Sequence, residues 1–320
     1  MKSLSEIYVA PSIAAAQADT ESFAARFAGH LRSDVARWKV EAKDIRLFSD
    51  LTQRKISGRA LLSNKHVHRA AQFALIDAAA DKYLEDPDRQ WLWITMAWDA
   101  GVTWERSPEI DLVSLKTIAY QHLMRAGIEG FGVIETDTWR SLPGEPGRRM
   151  VAHVHFLGTA TSDGRIKVTE LASEMGARRA LTNGLGARSV VIRNVGPSIE
   201  DFTRIAAYML KRPCMAKDPI PCRSGEGYRL QNVSHAPGSV ARLIEVFSHC
   251  EVGDVIFSIG SHRDIAERVR AAVRQEITPR AGVVPAPSAD EVASYWKRIR
   301  ETCGSRHFGP CSVITRAHQR

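Results

Sequence analysis

Val151-Ala152-His153-Val154-His155-Phe156-Leu157 is a run of apolar residues interrupted only by two histidines. Its β-branched and aromatic content reads as a β-strand. Side chains on a strand alternate between faces, so His153 and His155 point the same way, about 7 Å apart along the strand. Val154 then turns to the opposite layer. Two neutral imidazoles side by side on one sheet face make half of a divalent-metal site. With 11 histidines in 320 residues, the triplet is a weak motif by itself, and its meaning rests on its neighbours.

Working outward, Trp91-Leu92-Trp93-Ile94-Thr95-Met96-Ala97-Trp98 is an earlier strand, and a turn-rich stretch with Pro108 follows it. An amphipathic helix is expected from about Asp111 to Ala126, closed by Gly127. Gly130-Phe131-Gly132-Val133-Ile134-Glu135 is the second strand, and the Pro/Gly-rich stretch 141–149 reads as a loop into a third strand over 150–158. Next come a helix over 169–181, a Gly-rich turn at 183–186 and a strand over 189–193. Pro197-Ser198-Ile199-Glu200-Asp201 opens a helix that runs through Tyr208 to about Lys211 and stops before Pro213. The order β-α-β-β-α-β-α is that of an α+β, ferredoxin-like split βαβ: an antiparallel sheet with helices against one face. Pairing of the second and third strands would put Glu135 beside the histidines.

The flanks are plainer. Residues 1–88 read as a helical N-terminal extension, with apolar residues at helical spacing over 21–38 and 67–84. Between those helices, the basic stretches 53–59 and 64–69 read either as a solvated face or as a nucleic-acid contact. His66 and His68 form a second triplet at the start of a helix, where residues two apart do not share a face, and they read as incidental. Residues 89–213 form the central unit. Residues 214–320 read as a mixed, helical C-terminal region: helices over 239–248, 262–276 and 291–302, a short apolar run at 255–259, a Pro/Ala-rich linker over 279–287 and a loose tail.

Composition bounds the function. A 44% apolar fraction supports a core, and no apolar run approaches the ~20 residues that span a bilayer. No charged segment followed by an apolar one marks a secretion signal. The five cysteines are widely spaced without a CxxC pair, so reduced thiols and a cytoplasmic location are expected. A net charge of +8 and a pI near 9.4 favour a polyanionic partner.

The chemistry follows from three parts. His153 and His155 supply two nitrogen ligands and Glu135 an oxygen, a mixed set that suits Mg²⁺ or Mn²⁺ with positions left for phosphate oxygens. Tyr208 and Lys211, three apart on a helix, share a face and would reach that metal. A phenol is a poor nucleophile at neutral pH. A divalent cation on a phosphate and a nearby ammonium would ease its attack, leaving a phosphotyrosine. Taken singly, each residue has an ordinary structural role: satisfied histidines, an amphipathic-helix tyrosine, a solvated lysine, a glutamate paired with an arginine. The joint placement argues for the site.

These stretches resemble the His-hydrophobe-His (HUH) superfamily of single-strand endonucleases, in particular rolling-circle replication initiators of plasmids and phages. Trp93-Ile94-Thr95-Met96-Ala97 is similar to that family's first motif, Ala152-His153-Val154-His155-Phe156-Leu157 to its metal-binding motif, and Ala207-Tyr208-Met209-Leu210-Lys211 to its nucleophile motif. The resemblance covers about residues 90–212. It implies His153 and His155 as ligands, Glu135 less firmly, Tyr208 as nucleophile and Lys211 as its helper. It also implies DNA as partner, a single-stranded origin segment with flanking duplex, and a host helicase and polymerase. The third motif has one tyrosine, unlike two-tyrosine initiators and transposases, and no GxxxxGK[ST] loop follows. A relaxase or transposase of the same superfamily, or a non-catalytic nucleic-acid-binding module, are the alternatives.

Overall fold

A computed structural model describes residues 11–18, 21–22, 42–161, 166–181, 184–185, 188–222, 228–303 and 308–315. Most of the helix expected over 21–38 and the last five residues lie outside these. So do Asn183 and Gly186 of the Gly-rich turn.

Helix α1 (Ala42–Thr52) and helix α2 (Lys65–Glu85) precede the sheet. Strand β1 (Leu92–Met96), helix α3 (Leu112–Arg125), strands β2 (Ile128–Leu142) and β3 (Glu145–Ala160), helix α4 (Val168–Gly176), strand β4 (Val190–Asn194) and helix α5 (Ile199–Met209) follow in the expected alternation. Beyond them lie β5 (Ala216–Pro221), β6 (Tyr228–Val233), α6 (Ser239–Ser248), β7 (Ile256–Ile259), α7 (Arg263–Glu276) and α8 (Ala289–Cys303). The protein is mixed α+β with an antiparallel-rich sheet.

Local chemistry starts several of these elements. Asn64 caps α2, its side chain accepting from the His66 and Val67 N–H groups; Asp111 caps α3 and Ser198 caps α5 in the same way. Glu200 and Asp201 in the first turn of α5 add favourable charge at its N-terminus. Gly127, at φ +65°, turns the chain out of α3. The basic stretch between α1 and α2 is partly consumed in structure: Arg54 pairs with Asp50, Arg59 with Glu251, and His66 Nε2 meets the Gln53 carbonyl.

The main sheet runs in the order β4-β1-β3-β2-β5-β6, with β7 on the N-terminal half of the β2 edge that carries β5 further along. β1 lies antiparallel to both β3 and β4, and β3 antiparallel to β2. Strands from residues 216–259 therefore extend the sheet built by residues 92–194, and one apolar core reaches from Ala16 to Val313.

Four expectations are corrected. The stretch 141–149 is not a loop: β2 and β3 pair almost to their ends around Pro143-Gly144, where proline fixes φ and Gly144 takes φ +75°. The supposed linker over 279–287 contains Val284–Pro285, paired in parallel with Ile56–Ser57. The loose tail contributes Ser312–Ile314, paired in parallel with Glu109–Asp111. The expected helix to Lys211 ends at Met209, with Lys211 in the following turn, where its N–H reaches the Tyr208 carbonyl. The pairings of Val284–Pro285 and Ser312–Ile314 join segments some 200 residues apart, which no local periodicity reports.

Candidate metal centre

Glu135 and His153 are directly paired residues of β2 and β3, and His155 pairs with Val133 on one side and Thr95 of β1 on the other. Residues directly opposite in an antiparallel pair share a face, so Glu135, His153, His155 and Thr95 meet on one side of the sheet. Val154 and Phe156 point away, fully buried, and Phe156 packs against Phe257 of β7. Along β2 the side chains from Ile128 to Trp139 are almost all buried, including Glu135, Thr136, Asp137 and Thr138. Four consecutive buried polar residues in a central strand are costly unless they are paired or functional.

The geometry is compact. His153 Nε2 and His155 Nε2 lie 3.1 Å apart, and Glu135 Oε2 lies 2.9 Å from His155 Nε2 and 3.6 Å from His153 Nε2. Despite this closeness, Glu135 Oε2 accepts no well-directed hydrogen bond. Three lone-pair atoms facing one another inside a buried pocket repel unless a proton or a cation sits between them. An octahedral ion with bonds of about 2.1 Å holds neighbouring ligand atoms about 3 Å apart, close to the observed triangle. The Glu135-His153-His155 group can hold a metal ion.

Hydrogen bonds behind the imidazoles set their orientation. His153 Nδ1 lies 3.3 Å from the Val151 carbonyl, which can only accept, so the neutral ring carries its proton on Nδ1 and offers Nε2 to the centre. His155 Nδ1 lies 3.1 Å from Thr95 Oγ1. Such outer contacts orient metal-ligating histidines. Trp93 stacks on the His155 ring at 4.7 Å between centroids and 18° between planes.

Tyr208 and Lys211 close one side. The Tyr208 ring lies 5.4 Å from the His155 ring and 6.0 Å from Trp93, and the residue is 43% exposed. Lys211 Nζ sits 3.8 Å from the centre of the Tyr208 ring and 2.5 Å from Glu135 Oε1. All five expected residues are therefore in one cluster, although Lys211 reaches it from a turn.

Charge follows burial. Burial alone would raise the Glu135 carboxyl, but Lys211 first and then the two imidazoles hold it well below the usual carboxylate range. Burial lowers the His155 imidazole to about 4, so that ring is neutral and free to ligate. Burial also acts downward on His153, but its contact with Glu135 and the charges of Glu135 and Asp137 carry the net shift upward. Burial raises Tyr208, with Lys211 opposing. Burial depresses Lys211, and Glu135, Asp137 and Tyr208 more than reverse this, so it stays an ammonium.

Several contributors were not singled out from sequence. Asp137, two residues beyond Glu135 and on the same face, is a second buried carboxylate, raised by burial and then by Glu135. The strand alternation that aligns the two histidines would have pointed to it once β2 was extended past Glu135. His68, read as incidental, is buried beneath the cluster and hydrogen-bonds the Leu210 backbone, while Gln72 Nε2 donates to the Ala207 carbonyl at 2.8 Å. Helix α2 thus holds the end of the tyrosine helix. Only the helical spacing of Asn64, His68 and Gln72 hinted at a shared face.

Comparison with known protein families, with curated proteins and with solved structures gives no match.

Proposed function

We propose that this chain is a metal-dependent single-strand DNA endonuclease and strand transferase, of the kind that initiates rolling-circle replication. The observation that carries the reading is the contact of Tyr208 with both halves of the site: its ring lies against His155, and Lys211 bridges it to Glu135. The strand order β4-β1-β3-β2, antiparallel throughout, supports a ferredoxin-like HUH core, with the tyrosine on the helix after the fourth strand.

A bound Mg²⁺ or Mn²⁺ would neutralise charge on the scissile phosphate. The remaining work belongs to the chain. Tyr208 Oη attacks phosphorus, an O–P bond forms and the P–O3′ bond breaks. The phenolic proton passes to solvent, the leaving 3′-oxygen takes one from solvent, and the 5′ phosphate stays on the tyrosine. Lys211 remains cationic, so it stabilises the phenolate electrostatically and does not act as the base. The free 3′-OH would serve a host polymerase, with a helicase opening the duplex.

A two-histidine, one-carboxylate set also suits iron(II) oxygen chemistry, but that chemistry gives no task to the Tyr208–Lys211 pair. The test is a labelled single-stranded origin oligonucleotide with Mn²⁺. A covalent adduct mapping to Tyr208 and absent from Tyr208→Phe is expected, and an adduct that survives Tyr208→Phe overturns the assignment.

A further inference from the structure

Trp104 is 52% exposed, an unusual state for a tryptophan, and it is held in place. The Arg149 guanidinium covers one face of its ring, 3.0 Å from the ring centre. Arg149 is itself buried, and hydrogen-bonds the Gly147 carbonyl and Glu145. Gly147, at φ +108°, packs so closely that a Cβ there would fall 2.8 Å from a Trp104 ring carbon. With one face covered and one edge wedged, the exposed area is the opposite face and the outer edge. The ring is a fixed, open platform.

Its place in the sheet relates it to the metal centre. Trp104 lies on the short strand Val102–Trp104 and pairs directly with Arg149 of β3. Arg149 lies four residues from His153 and on the same face by strand alternation, about 14 Å along the strand. Lys217 pairs with Trp139, the β2 residue opposite Arg149, so it lies on this same face, where its ammonium hydrogen-bonds the neutral Asn232 Oδ1. Arg148 shares the hairpin, paired with Glu105.

We propose that Trp104, backed by Arg149, is a stacking site for one unpaired nucleobase of the single-stranded substrate, a few nucleotides from the phosphate held at Glu135, His153 and His155. The proposal rests on the nuclease reading for its ligand class. An aromatic face accepts any base, and a cation on the same face, Lys217, can meet the phosphates, the combination that single-strand binders use. A cation beneath the ring fixes its orientation before the base arrives, so little rotamer freedom is lost on binding.

The experiment measures binding of a fluorescein-labelled single-stranded oligonucleotide to the full chain in EDTA, at fixed salt, by anisotropy. Trp104→Ala should weaken binding about tenfold or more, and Trp104→Phe should retain most of it. Moving a single abasic site along the oligonucleotide should find one position that reproduces the loss and erases the difference between wild type and Trp104→Ala. Mn²⁺ binding by Trp104→Ala should equal wild type, as should its melting temperature. Equal oligonucleotide binding by wild type and Trp104→Ala, with the Tyr208 adduct still formed, overturns the platform and leaves the nuclease reading standing. Absence of both adduct and single-strand binding in wild type overturns both. A change of oligomeric state in Trp104→Ala with unchanged oligonucleotide binding assigns the surface to a second copy of the chain and also overturns the proposal.

Discussion

Lys211 Nζ and Glu135 Oε1, 76 residues apart in sequence, meet at 2.5 Å in an interior where Glu135 is 6% exposed. The pair ties the turn after the tyrosine helix to the strand beside the histidines. One contact therefore fixes both the acidic ligand and the cation that faces the tyrosine ring.

Removing one member of a buried pair leaves the other uncompensated, at a cost of about 3–5 kcal/mol. Lys211→Met should destabilise the fold by roughly that amount in urea titrations and abolish adduct formation. Lys211→Arg should recover most of the stability, because a guanidinium keeps the charge, with poorer recovery of adduct yield as the contact geometry changes. A loss under 1 kcal/mol for Lys211→Met would show that water, not Lys211, solvates Glu135.

Calorimetric titration with Mn²⁺ should find one site that His153→Ala, His155→Ala or Glu135→Gln each removes. Thr95→Val takes away the hydroxyl behind His155 Nδ1 without touching a ligand. It should weaken Mn²⁺ by about 10-fold or more, as loss of such outer contacts does elsewhere. Unchanged affinity would mean that Trp93 stacking alone orients the ring.

Burial holds the His68 and His262 imidazoles below their ordinary value, so the folded protein takes them neutral while the unfolded chain protonates them near pH 6.5. Their contribution is fully present above about pH 6.5 and falls as the pH drops below it. His153, shifted upward, works in the opposite sense. Guanidinium midpoints should therefore fall from pH 7.5 to pH 5, and His68→Leu should flatten that slope. A steeper slope in His68→Leu would contradict a neutral His68.

Gly101 sits under the histidine strand, where an added Cβ would fall 1.9 Å from the Ala152 carbonyl oxygen. Gly101→Ala must push β3 aside and should cost about 1–3 kcal/mol, with weakened Mn²⁺ binding because His153 is the next residue. Gly144→Ala, in open space but at φ +75°, should cost about 1 kcal/mol from backbone strain and leave Mn²⁺ binding unchanged. The two variants separate strain at the site from strain in a remote turn.

The alternation of His153, Val154 and His155, the helix starts at Asp111 and Ser198, and the Gly127 stop were all legible, because each depends on side chains within a few residues of one another. The same holds for the element order through α5 and for the co-location of Tyr208 with the histidines, which follows once that order is known. What was missed is non-local. Stretch 141–149 carries Pro and Gly at loop frequency, yet it is strand because long cross-strand pairing outweighs composition. Ser312–Ile314 looked like tail because its partner, Glu109–Asp111, lies some 200 residues earlier.

For this protein, then, the amino-acid sequence by itself determined which residues alternate, which helices begin where, and which side chains have the chemistry of a metal and phosphate site. Only the tertiary structure decided that Glu135 sits opposite His153, that Lys211 turns back onto Glu135, that Asp137 and His68 are buried near the cluster, and that Trp104 stays exposed further along the same sheet face. The physical reason is register. A one-residue slip between β2 and β3 would turn Glu135 to the other face. The choice between registers is made by the summed burial and pairing of whole strands, a quantity that no single stretch contains.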